Sequence, residues 1–117
     1  MLEVHAKKLD TVEILRLEGR IVNGETDILR SAVQSASGRR RLILDLSNVT
    51  LVDAHGLGVL LQLREQALTQ GISFKVVNVS RSLYRLFEIT RLNTVFDITV
   101  GVPFAPDITA QRQLVAA

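Results

Sequence analysis

Residues 51–61, Leu51-Val52-Asp53-Ala54-His55-Gly56-Leu57-Gly58-Val59-Leu60-Leu61, hold the transition on which the fold of this chain turns. An apolar, strand-like run reaches an acid, then a small residue, then His55, and Gly56-Leu57-Gly58 opens an apolar helix. Backbone N–H groups at a new helix N-terminus have no intrahelical acceptor. A side chain there sits where negative charge, or an acceptor on a partner, is best received. This strand-to-helix corner is therefore the candidate functional hot spot.

Outward from the corner, strand and helix patterns alternate. Upstream, Arg41 to Leu46 (RLILDL) reads as a buried central strand. A first helix is expected from about Gly24 to Ser37. Glu25 and Asp27 suit its positive end, Ile28, Leu29, Ala32, Val33 and Ala36 form its apolar stripe, and Gly38 suits its stop. Further upstream, Leu2 to Lys7 and Val12 to Leu17 form a hairpin around Leu9-Asp10-Thr11. Downstream, the second helix runs from about His55 to Gln70 and closes at Gly71. Ser73 to Val79 is a strand, and Ser80 begins a third helix through about Ile89, with Leu83, Leu86 and Phe87 inward. Val95 to Ile98 reads as a short last strand. Pro106 and Asp107 start a terminal helix, with Ile108 and Leu114 as docking residues. Strands separated by helices imply an α/β fold, a short, mostly parallel mixed sheet with flanking helices. Residues 1–117 read as a single domain without repeats or low-complexity segments.

Composition narrows the function. At 117 residues, 47% hydrophobic and 22% charged, the chain is ordinary globular protein. No apolar run approaches the ~18 residues that a membrane span needs, and no secretory signal opens the sequence. The absence of cysteine removes disulfides, thiol catalysis and cysteine metal sites, and fits a cytoplasmic protein. Fourteen basic against twelve acidic residues, with one Tyr and no Trp, make a poor nucleic-acid face. The Arg39-Arg40-Arg41 run reads as a solvated turn before a strand, and Phe74 and Phe87 sit inside apolar patterns.

Enzyme chemistry finds little support. HExxH, GxSxG, Walker and Rossmann motifs are missing, and Gly56-Leu57-Gly58 alone is too short to argue for nucleotide binding. Those glycines let the chain turn tightly and pack against the sheet. His5 lies in the first strand pattern as a structural residue. Asp45 and Asp53 read as turn or cap acceptors rather than a catalytic pair. No catalytic residue, metal site or cofactor is assigned.

The chain resembles the STAS domain, shared by anti-sigma-factor antagonists and the cytosolic tails of sulfate transporters. Four segments carry the resemblance over nearly the whole length. Gly19-Arg20-Ile21, with the helix reaching Leu29-Arg30, resembles the family's early Gly-x-Leu segment. Leu42 to Val52 (LILDLSNVTLV) resembles its central strand. Asp53-Ala54-His55-Gly56-Leu57-Gly58 resembles its Asp-Ser-Ser-Gly-Leu-Gly corner, and Ser82 to Phe96 (SLYRLFEITRLNTVF) resembles its Arg-Leu-Phe, Thr-Gly-Leu segment.

The resemblance implies a short sheet with flanking helices and a partner switch. In such antagonists, the serine before Gly-Leu-Gly is phosphorylated by a kinase that is also the anti-sigma factor. Phosphoserine adds about −1.5 to −2 charges, enough to end binding at a fitted interface. Here that position is His55, beside Ala54. Val22 stands where many antagonists carry aspartate, and Arg91 replaces a glycine after the third helix, which implies a strained or reshaped helix end. Three roles compete for His55: a partly exposed residue bonded to a carbonyl or water, a partner contact insensitive to a serine kinase, or a phosphohistidine. A pH sensor is disfavoured because a helix N-terminus opposes a cationic ring.

The expected function is a non-enzymatic interaction module that binds an anti-sigma factor or regulator kinase. The partner surface is expected at Asp53, Ala54, His55, Gly56, Leu57, Gly58, Val59 and Leu63, with Val59 and Leu63 either at its margin or in the core. Two other roles compete: an accessory subunit of an ABC-type lipid transporter, and a scaffold subunit of a stress-signalling complex. The sequence sets neither the oligomeric state nor the partner.

Overall fold

The computed structural model describes residues 1–36 and 38–101. Ser37 and the expected terminal helix, with Ile108 and Leu114, lie outside the described residues. Five strands form one sheet in the order β1-β2-β3-β4-β5: β1 (Glu3–Leu9), β2 (Val12–Ile21), β3 (Arg41–Val52), β4 (Ser73–Val79) and β5 (Asp97–Val100). The first pair is an antiparallel hairpin, in which Leu9 faces Val12 and Asp10 turns the chain at φ 56°. The remaining pairs are parallel. The crossovers contain α1 (Asp27–Ser35), α2 (Ala54–Thr69) and α3 (Arg81–Ile89).

A progressive strand order with right-handed crossovers puts all three helices on one face of the sheet. The burial pattern agrees. Leu15, Leu17, Leu42, Leu44, Phe74 and Val76 are buried toward the helices, while Ile14, Arg16, Ile43, Asp45, Lys75 and Val77 alternate with them on a more open face. The central strand is thus buried on one side, not on both as its apolar run suggested.

β3 is also six residues longer than the alternation at Leu42, Leu44 and Leu46 indicated. Two register shifts against β2 each add a residue to β3, one between Arg16 and Glu18 and one between Gly19 and Arg20. They bring Val49 and then Val52 back to the buried face. The Asp45 carboxylate accepts the Ser47 N–H at 2.9 Å inside the first bulge, and the Thr50 hydroxyl donates to the Gly19 carbonyl at the second. A period-two reading stops at Leu46 because the strand changes phase there.

Other boundaries shift for local reasons. Helix α1 starts at Asp27 rather than near Gly24, because Val22 to Glu25 close a turn (Glu25 N–H to Val22 carbonyl, 3.0 Å) with Gly24 at φ 88°. Of its expected stripe, Leu29, Val33 and Ala36 are buried, Ala32 is half-buried, and Ile28 is largely exposed. The last strand starts at Asp97 because Leu92 to Thr94 form a 3-10 turn after Arg91, which holds a left-handed φ of 62°. That turn delivers Phe96 to the core, edge-on to Phe87 at 5.5 Å. β4 and α3 fall where the sequence placed them, and the Ser80 hydroxyl caps α3 by accepting the Leu83 N–H.

Candidate functional site

The corner is built from two parallel strand ends and the loops that leave them. β2 ends at Ile21 and β3 at Val52, and these residues are register partners. Asp53 follows in extended backbone and caps α2, its Oδ1 accepting the Gly56 N–H at 2.7 Å. Its Oδ2 accepts the Asn23 N–H at 3.1 Å, and its own N–H donates to the Ile21 carbonyl at 3.3 Å. One carboxylate thus fastens the β2–α1 loop to the start of α2. The bonds from Asn23 and Gly56, with a smaller contribution from the nearby His55, hold the Asp53 carboxyl below its ordinary value. Asp53 and Asp45 are both structural acceptors, as their positions in the sequence suggested.

The two glycines part company. A methyl group on Gly56 would lie 1.9 Å from the Ile21 carbonyl oxygen, so only glycine lets α2 approach β2 this closely. A methyl group on Gly58 would meet nothing within 4 Å, and the residue is exposed. The tight-packing role expected for both belongs to Gly56 alone.

The residues predicted as a partner surface separate by burial. Ala54, His55 and Gly58 are exposed and Asp53 is half-exposed. Gly56 and Leu57 are buried. Val59 and Leu63, at 2% and 1% exposure, lie in the core, so their placement at the margin of a docking surface is corrected. The cause is geometric. With α1, α2 and α3 on one face of the sheet, α2 buries a broad stripe of Leu57, Val59, Leu60, Leu63 and Ala67. The outward surface beside the corner is instead Leu51, Leu61 and Gln62, exposed or half-exposed, and the Gln62 Oε1 accepts a bond from Arg30 of α1 at 2.9 Å.

The His55 ring stands in the first turn of α2 and forms no protein hydrogen bond among the described residues. Among the described residues, the acidic and imidazole groups at the corner are Asp53 and His55, and both Asp53 oxygens already accept backbone N–H groups. Open α/β sheets bind small ligands where the strand order reverses and adjacent crossovers diverge; a progressive order makes no such crevice. An exposed, rigidly capped corner suits contact with another macromolecule.

Two contributors to the corner were not recognised in the sequence. Asn23 supplies its N–H and Ile21 its carbonyl, both through the backbone, which leaves only the Asn23-Gly24 turn dipeptide as a signal. Elsewhere, Glu13 is 1% exposed and pairs with Arg39 at 3.4 Å, while Arg39 also donates to the Asp10 carbonyl at 3.1 Å. Arg39 and Arg40 precede β3, which already includes Arg41, and Arg39 pins this segment to the hairpin.

Fold and corner together define an α/β module with an exposed, capped helix start beside the ends of two parallel strands. The model of the STAS domain matches residues 3–108, and the chain belongs to this family. An anti-sigma-B factor antagonist of Bacillus subtilis is 41% identical over 54 residues, 46% of this chain and 50% of that protein. An anti-sigma F factor antagonist of Paenibacillus polymyxa is 29% identical over 90 residues, 74% of this chain and 77% of that protein. In structure, an anti-sigma factor antagonist from Mycobacterium paratuberculosis superposes with a TM-score of 0.73 at 24% identity, covering 85% of this chain and 86% of its own. The family is one of non-enzymatic interaction modules, and no described helix is long and apolar enough to cross a membrane.

Proposed function

We propose that this chain is an antagonist-type STAS protein of the cytoplasm that docks onto an anti-sigma factor or a related regulator kinase. The contact surface is the exposed part of the corner: Asp53, Ala54, His55 and Gly58, with Leu61 and Gln62 beside them. His55 takes the place that a phosphorylatable serine holds in the family, so a serine kinase cannot end the contact by adding charge there. The observation that carries this reading is the combination of an intact Asp53 cap with an exposed imidazole that makes no hydrogen bond among the described residues. The backbone of the switch is kept while its hydroxyl is absent.

Two measurements test it. Capture with the tagged chain, followed by mass spectrometry, identifies a regulator kinase or anti-sigma factor; recovery of an ABC-type ATPase and permease instead overturns the reading. The purified partner incubated with ATP leaves residues 53–58 unmodified when spectra are recorded without acid, whereas His55→Ser becomes phosphorylated and releases the partner. Phosphate on wild-type His55 contradicts the proposal.

A further inference from the structure

The hairpin assembles a second group of chemically active side chains, away from the corner. Glu3 and His5 are two residues apart on β1 and face the same way, and Glu18 on β2 is the register partner of Glu3. Glu18 shares its side of β2 with Arg16 and Ile14, so all three groups stand on the open face of the sheet. His5 Nε2 is hydrogen-bonded to Glu18 Oε1 at 3.3 Å and lies 3.6 Å from Glu3 Oε1, and one donor atom from each residue fits within 4.8 Å of the others, so a cation would replace that hydrogen bond. Two carboxylates directly opposite across a strand pair repel, and a shared cation relieves that repulsion.

We infer that Glu3, His5 and Glu18 bind one divalent transition cation of the zinc class. The spacing supports this. Tetrahedral bonds of about 2.0–2.1 Å put neighbouring donors about 3.3–3.4 Å apart, close to the two separations found here. The donor set supports it too. One imidazole with two carboxylates suits zinc, cobalt or nickel, whereas calcium and magnesium favour all-oxygen sites. Three protein donors leave a position open to water or to an incoming group. Arg16, opposite His5 on the same face, makes no salt bridge with either carboxylate among the described residues. A bound ion would tie the edge strand β1 to β2, next to the strand end that supports the corner. The sequence concealed this site because only the hairpin register brings Glu18 to Glu3 and His5. It is independent of the partner proposed for the corner.

The test uses the chain without a histidine tag, stripped with a chelator and titrated with Co²⁺ and then Zn²⁺. Cobalt is expected to give intense visible d–d absorption that saturates at one equivalent, and zinc to raise the thermal midpoint. His5→Ala and Glu18→Gln each weaken binding at least about tenfold and remove the zinc-dependent rise. His5 is exposed and Glu18 half-exposed, so both variants should melt near the wild type without metal. The chain has only two histidines, and His55→Ala should bind cobalt as the wild type does. No absorption and no heat of binding, equal affinity in His5→Ala, or loss of binding in His55→Ala each overturns the inference.

Discussion

Gly56→Ala puts a methyl group 1.9 Å from the Ile21 carbonyl oxygen, and both partners of that clash are backbone-bound. The start of α2 must then move off β2, so the variant should unfold at clearly lower denaturant than the wild type. Gly58→Ala meets open space in the same helix and should stabilise the chain by about 0.5–1 kcal/mol through helix propensity. Urea unfolding of the two variants should shift in opposite directions. A bulkier Gly58→Leu tests the corner as a docking surface, since it should weaken partner binding while leaving the fold intact. Asp53 gives a pH signature. Its carboxyl is held below its ordinary value in the folded chain. The stabilisation is therefore fully present above the unfolded value, about pH 4, and is lost as pH falls through the lower folded value. Thermal midpoints between about pH 3 and about pH 7 should fall less steeply on the acid side in Asp53→Asn, from a lower starting point.

Among the helices, α2 offers the sharpest test of burial. Val59→Glu buries a carboxylate without a counter-charge in the core and should cost several kcal/mol, read as loss of the cooperative thermal transition rather than selective loss of binding. If Val59→Glu melts normally, the burial described here is wrong. After α3, Arg91 holds a left-handed φ of 62° where the family pattern carries glycine. Arg91→Gly relieves roughly 1–2 kcal/mol of backbone strain but frees the unfolded chain, so the net gain should be up to about 1 kcal/mol in chemical denaturation. Unchanged or reduced stability would mean that the arginine side chain compensates the strain. These elements also show how far the sequence was legible. Ser73–Val79 and Arg81–Ile89 are regular and locally capped, so their bounds could be read directly. β3 was cut short because its two bulges reset the period of its buried residues, and a bulge is visible only in pairing with β2. Val59 and Leu63 were ambiguous because the burial of a wide apolar helix depends on how many sides of it are covered.

Across the whole molecule, one-sided covering of the sheet should produce a sharp asymmetry. Leu44→Ala, facing the helices, should cost about 2–5 kcal/mol. Ile43→Thr, its neighbour on the open face, should cost much less, and urea midpoints of the pair measure the difference directly. The alternation of strands and helices made the α/β class readable, and the Asp53-to-Gly58 motif made the corner readable. The contributions of Asn23 and Ile21 were hidden because they act through main-chain atoms, which any side chain can supply. The Glu13–Arg39 pair was hidden for another reason: its members are 26 residues apart and meet only when the hairpin packs under the turn before β3.

The unbroken strand order has a kinetic meaning as well. Every strand pairs with the strand before it in the chain, so no pairing waits for a segment beyond the next crossover. Loop closure is short at each step. A chain with this layout can add strands to its growing rim in the order in which the ribosome releases them.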